Sequence, residues 1–193
     1  RLVPGDNPLF GGLERRLAAL KGAEAACLFG SGYLANIGII PTFVGEGDIV
    51  FVDELAHACI WAGARLSGAR VARFRHNDIE DLAAQLAALR PAHRRALVAT
   101  DGVFSMDGDV APLDAISAVC GDHEAWLLVD DAHGLGVLGG GRGVAALFPD
   151  ARIDLAMGTL SKALGGYGAY VCGRLPVIEL IRTRARTLIY TTG

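Results

Sequence analysis

WLLVDDAHG, Trp126 to Gly134, is a short apolar run that ends abruptly in two carboxylates and a histidine. A run this brief, apolar throughout rather than alternating, predicts a strand buried on both faces. The same pattern recurs along the chain, and further strands are expected at 48–53 (DIVFVD), 71–74, 96–100, 155–158 and 169–172. Helix-length segments lie at 7–20, 33–44, 57–66, 78–89 and 112–120. Leu13, Leu17 and Leu20 are expected on one face of the first, and Leu113, Ile116 and Val119 on one face of the last. This alternation predicts an α/β fold with a mostly parallel central sheet and helices on both faces. Ligands of such sheets sit beyond the carboxyl ends of the strands. The polar residues gather there, at 101–107, 130–134 and 159–162.

The 193 residues suit a single domain or a large piece of a longer chain. With 52% hydrophobic and 20% charged residues the sequence is core-rich and not disordered. A formal net charge of −3 gives no electrostatic reason to expect nucleic acid or an anionic membrane. No apolar run approaches the roughly 20 residues of a membrane span, and the first seven have no signal-peptide form. The expectation is a cytoplasmic protein with a small-molecule partner, no nucleic-acid partner and no membrane association. Cys27, Cys59, Cys120 and Cys172 are widely spaced in apolar stretches, so free buried thiols are expected rather than zinc or disulfides. No metal site is expected.

Of 18 basic side chains, 16 are arginine, and the only lysines are Lys21 and Lys162. An arginine stays charged, whereas a lysine amine can lose its proton and act as nucleophile or base. Lys21 precedes Gly22 at the end of a helical pattern and reads as a solvated C-terminal lysine. Lys162 lies in GTLSKALGGYG, among small residues that let backbone approach a ligand. No Walker A spacing precedes it.

The carboxylates after the strand at 126–130 admit three readings. Asp130, Asp131 and His133 could begin a metal site, but no second ligand cluster follows at useful spacing. Asp131 could cap the following turn. A buried ionised Asp could instead hold the proton of a heteroaromatic cofactor nitrogen. Gly134 to Gly139 satisfies G-x-G-x-x-G, yet Gly140, Gly141 and Gly143 make a poor helix start, which weighs against a dinucleotide. Gly30-Ser31-Gly32 opens a helical pattern and offers backbone N–H groups to a phosphate. His57 heads another helical pattern, where it could cap, pack or stack on a flat ring. Ser105 is a candidate donor, and Asp101 and Asp109 candidate turn-formers, in TDGVFSMDGDVAPL.

Taken in order, LFGSGYLAN, DELAHA, FRHND, TDGVFSMDGDVAPL, VDDAHGLGVLGGGRG, GTLSKALGGYGAYVCG and the terminal YTTG resemble the α-oxoamine synthases across the whole chain. The resemblance implies a fold-type I large domain that uses pyridoxal 5′-phosphate. It implies that Lys162 holds the cofactor as a Schiff base, Asp130 pairs with its ring nitrogen and His133 bonds its 3′-oxygen. His57 would stack on the ring, Ser105 would contact the cofactor, and Thr159 would help to hold it. Gly32 and Tyr33 would hold the phosphate, with Thr191 and Thr192 reaching it across a homodimer interface. The wording of TDGVFSMDGD and GTLSKALG implies condensation of L-alanine with a pimeloyl thioester, carried on coenzyme A or an acyl-carrier protein. Members acting on glycine or serine share nearly all of these residues. A silent partner subunit on the same fold is the alternative of another class, and retention of Lys162 argues against it.

Two departures follow from the resemblance. Where the family has Asn-His-Ala-Ser, this chain has Ala56-His57-Ala58-Cys59, and the expectation is that His57 lacks a polar support. The chain is also short for the family and is expected to be a fragment without the N-terminal segment and C-terminal small domain, inactive by itself.

Overall fold

The computed structural model describes residues 7–191. Seven strands form one sheet: β1 (Ala25–Phe29), β2 (Ile49–Asp53), β3 (Arg70–Phe74), β4 (Ala96–Asp101), β5 (Trp126–Asp130), β6 (Leu155–Thr159) and β7 (Ala169–Gly173). Their order is β1-β7-β6-β5-β4-β2-β3. Every pairing from β3 across to β6 is parallel, and β7 runs antiparallel to both β6 and β1. The expected α/β architecture with a mostly parallel sheet is therefore observed. All five expected helical segments form, as α1 (Pro8–Lys21), α2 (Gly32–Phe43), α3 (Ala58–Leu66), α4 (Ile79–Leu89) and α5 (Leu113–Asp122). Two more close the described region, α6 (Leu175–Arg184) and α7 (Arg186–Ile189).

The sheet is buried on both faces, as its apolar strands require. One core layer joins β2, β4 and β7 to α2, α3, α6 and α7, and another joins the opposite face to α4 and α5. A smaller cluster under α1 contains Leu17, Ala18, Leu28 and Tyr170. The expected leucine face of α1 is corrected here: Leu17 is buried, but Leu13 and Leu20 are 37% and 40% exposed. Glu14 takes the inward position beside Leu17 instead, because it serves a backbone donor of the sheet edge. Its Oε1 accepts from Leu28 N at 3.1 Å, and its Oε2 pairs with Arg182 Nη2 at 2.6 Å. A carboxylate buried in this way needs both partners to offset its desolvation.

His76, just beyond β3, ties the loop after β4 to the edge of the sheet. Its Nδ1 lies 3.0 Å from Asp53 Oδ1 and its Nε2 lies 2.7 Å from Asp109 Oδ2. Asn77 reinforces both carboxylates, with N donating to Asp53 Oδ2 and Nδ2 to Asp109 Oδ2. The ring also meets Phe104 edge-on, at 4.3 Å between centroids. This clamp positions the segment that carries Ser105. Burial works against the imidazolium, but hydrogen bonds to Asp53 and Asp109 outweigh it and raise the His76 pKa. A pKa raised by folding contributes stability that is full below the unfolded value of about 6.5 and is lost as pH rises through the folded value. The difference in melting temperature between the protein and a His76→Gln variant is therefore expected to narrow as pH rises. A difference that stays constant or widens contradicts the clamp.

Candidate active site

The carboxyl ends of β2, β4, β5 and β6 converge on a cavity of about 170 Å³, lined by residues from five separate segments. Gly32, Tyr33, His57, Ser105, Asp130, His133, Thr159 and Lys162, all expected from sequence, line it together. Thr191 is not among the lining residues, and Thr192 lies outside the described residues. Asp101, Cys59, Ala132, Met157 and Ser161 complete the wall. A larger cavity of about 910 Å³ lies against α1, α6 and α7 and contains none of these groups.

Parallel register explains the floor. Asp101 and Asp130 close β4 and β5 and are register partners, so two carboxylates end side by side. Asp130 is 4% exposed. Its Oδ2 accepts from Asn36 Nδ2 at 2.7 Å and its Oδ1 from Ala132 N at 3.1 Å. Burial raises the Asp130 pKa, opposed by these hydrogen bonds and by the Lys162 charge. Asp101 is pushed up to about 8, first by burial and then by the facing Asp130. Its Oδ2 accepts from His57 N at 3.0 Å, which fixes the start of α3 against β4. The floor thus carries acceptors in excess of cations, the electrostatic setting that suits a protonated ring nitrogen.

The opposite wall carries the amine. Lys162 is exposed, and its Nζ lies 2.6 Å from His133 Nε2. Burial and then the Lys162 charge lower the His133 pKa, so the imidazole is neutral and offers Nε2 as an acceptor. Thr159 closes β6 with its Oγ1 bonded to Gly168 O and in contact with Ser161 Oγ, at 2.9 Å and 2.7 Å. At the far end, Ser31 caps α2 by accepting from Leu34 N at 3.2 Å. Gly32 and Tyr33 head that helix, where amides have no intrahelical partner and the dipole favours an anion.

Two expectations are corrected. Lys21 is not solvated: its side chain and that of Asp131 are each 2% exposed, and they form an ion pair at 2.8 Å. Lys21 Nζ also donates to Arg142 O at 2.7 Å. α1 ends next to the loop after β5, a proximity that local sequence does not encode. Asp131 also accepts from Val144 N, thirteen positions along the chain, and so ties the loop across rather than capping the turn that follows β5. Gly143, at φ 93°, makes this possible, since a Cβ there would collide with the Asp131 carboxylate. The second correction concerns His57, which does have a polar neighbour. Cys59 Sγ lies 2.8 Å from His57 Nδ1, in the place where a missing support was expected.

Among the described residues no group of three or more His, Cys, Asp or Glu could hold a metal ion, and no helix is long and apolar enough to cross a membrane. The loop at 134–143 forms turns and a short 3₁₀ segment rather than a dinucleotide-type helix start.

The profile of the family described as Aminotransferase class I and II matches residues 5–193. An 8-amino-7-oxononanoate synthase of Beijerinckia indica subsp. indica is 61% identical over 194 aligned residues, covering 100% of this chain and 50% of its own length. Among solved structures, a serine palmitoyltransferase variant from S. paucimobilis with a bound PLP–myriocin aldimine superposes with a TM-score of 0.94 at 39% identity. That match covers 100% of this chain and 49% of the other. The 8-amino-7-oxononanoate synthase of Francisella tularensis superposes at 0.81 with 31% identity, over 98% of this chain and 55% of the other. These neighbours share the fold-type I architecture expected from sequence. The chain spans about half the length of the curated relatives it matches.

Proposed function

The chain belongs to the aminotransferase class I and II family, and from that premise we propose that its 193 residues are the cofactor-binding large domain of a pyridoxal phosphate-dependent acyltransferase. The reaction is the decarboxylative condensation of L-alanine with a pimeloyl thioester, releasing carbon dioxide and the thiol and giving 8-amino-7-oxononanoate. The observation that carries this reading is the meeting of an exposed lysine amine, a neutral imidazole and a buried carboxylate on one cavity headed by a helix N-terminus.

The residues fit pyridoxal phosphate. The floor has buried carboxylates short of cations, the wall has one amine, and the helix start has two amides for an anion. When bound, that group supplies an aldehyde that condenses with amines and a protonated ring that takes up the electron pair of a carbanion. Asp130 holds the proton at the ring nitrogen, its own carboxylate steadied by Asn36 and Ala132. Gly32 and Tyr33 hold the phosphate, with Thr159 beside them. Thr191 and Thr192 are assigned to the phosphate of a second copy in a homodimer. His57 stacks against the ring, and Ser105 contacts it from the loop that His76 clamps. His133 Nε2, now at the lysine, holds the ring 3′-oxygen. Lys162 Nζ is the attachment point and then moves the α-proton of the amino acid. That proton transfer alone contributes about 10²–10⁴-fold to rate.

Substrate choice is tested by product analysis. The intact parent enzyme proposed here, incubated with pyridoxal phosphate, alanine and pimeloyl-CoA, is expected to form 8-amino-7-oxononanoate in preference to products from glycine or serine. Preference for serine with palmitoyl-CoA would replace this reading by the serine palmitoyltransferase one, which the 0.94 superposition favours. The 193 residues alone are expected to give no steady turnover, being half the length of the relatives. Sustained product from them alone would refute that part.

A further inference from the structure

The thiol of Cys59 occupies the centre of a hydrogen-bonded chain rather than an apolar hole. Its Sγ lies 2.8 Å from His57 Nδ1, 3.1 Å from Asn36 Nδ2 and 3.9 Å from Asp130 Oδ2. Donors and acceptors along this chain can be assigned one after another. The Asn36 amide nitrogen has two protons, of which one goes to Asp130 Oδ2 and the other to the sulfur. Cys59 N donates to His57 Nδ1 at 3.2 Å, so that ring nitrogen is an acceptor and carries no proton. A thiol beside an unprotonated nitrogen is the donor of the pair. Burial, and after it the Asp130 charge, push the Cys59 pKa up to about 12, which keeps the proton on sulfur. Asn36 is fully buried, so water does not compete for the chain at that end.

We propose that Cys59 is a positioning residue whose thiol, held by the Asn36 amide, donates to Nδ1 of His57 alongside the Cys59 amide and fixes the orientation of the Nε2-protonated ring at the cavity. Asn36 thereby joins the two groups assigned to the cofactor ring, the stacking imidazole and the Asp130 carboxylate, through one side chain. That last consequence rests on the proposed cofactor; the thiol–imidazole bond itself does not.

The S–H stretching band falls in an otherwise empty infrared window, and its shift reports hydrogen bonding. The difference spectrum between the cofactor-free protein and its Cys59→Ala variant isolates this thiol. Its band is expected at lower frequency than those of the other buried cysteines, and a His57→Phe variant is expected to move it back up. A Cys59 band coincident with the others, or unmoved by His57→Phe, overturns the proposal whatever the cofactor. Spectral titration with pyridoxal phosphate provides the second reading. Cys59→Ala is expected to bind it about two- to tenfold more weakly, as for loss of one net hydrogen bond, and Cys59→Ser to restore affinity. If alanine binds as tightly as the native residue, or serine fails to rescue, the thiol is only filling space. If the native protein binds no pyridoxal phosphate while the infrared result holds, the functional assignment has failed and the positioning contact stands.

Discussion

Replacing Lys162 with alanine is expected to abolish the visible absorbance that pyridoxal phosphate acquires on covalent attachment and, in the intact parent enzyme, turnover with it. The side chain is exposed and, among the described residues, bonds to His133 Nε2, so the fold loses little and the melting temperature should hardly move. The chemistry loses both the attachment point and the proton carrier, the second worth about 10²–10⁴-fold by itself. Lys162→Arg separates charge from nucleophilicity. It preserves a cation near Asp101 and Asp130, whose pKa values the Lys162 charge lowers. A guanidinium does not give up its proton, so it neither attaches the aldehyde nor takes an α-proton. Both variants are therefore expected to be inactive, with arginine the closer to native in electrostatics. Persistence of the visible band in either one would remove Lys162 from the mechanism.

The other lysine is predicted to matter as much, for stability. Lys21→Met leaves the Asp131 carboxylate buried and without its ion-pair partner, with only the Val144 amide among the described residues still bonded to it. Breaking a buried pair from one side costs about 3–5 kcal/mol. For a domain of this size that corresponds to a fall in melting temperature of roughly 6–20 °C. A double variant, Lys21→Met with Asp131→Asn, removes the stranded charge and should recover part of the loss. Thermal denaturation followed by circular dichroism measures both. A Lys21→Met midpoint equal to that of the native protein would mean that the pair contributes nothing.

The two lysines also show where sequence reading succeeds and where it stops. Lys162 stands out because only two of the 18 basic side chains are lysine and it sits among small residues, after an apolar run that stops at polar ones and so marks a strand end. That rule found β2 to β7, and the resemblance to the α-oxoamine synthases supplied the eight residues that meet at one cavity. It passed over β1, whose AACLF has no β-branched residue to mark it. It also passed over α6, although Val177, Ile178 and Ile181 carry a helical spacing behind Pro176. Lys21 was misread because its partner is 110 positions away, and local pattern contains no term for that. Asp101 was read as a turn-former because its pairing with Asp130 needs the order β4 beside β5. The role of Cys59 depended on a neighbour from another helix, Asn36, in the same way.

The contrast between a buried and an exposed lysine also makes the chain a counter of its own folding. An acylating reagent for primary amines meets one accessible side-chain amine in the native state, at Lys162, and two once the chain opens. Lysine adducts counted by mass, over and above any adduct at the α-amine, therefore distinguish folded from unfolded molecules one at a time, and occupancy of Lys162 by a bound aldehyde would lower the native lysine count from one to none.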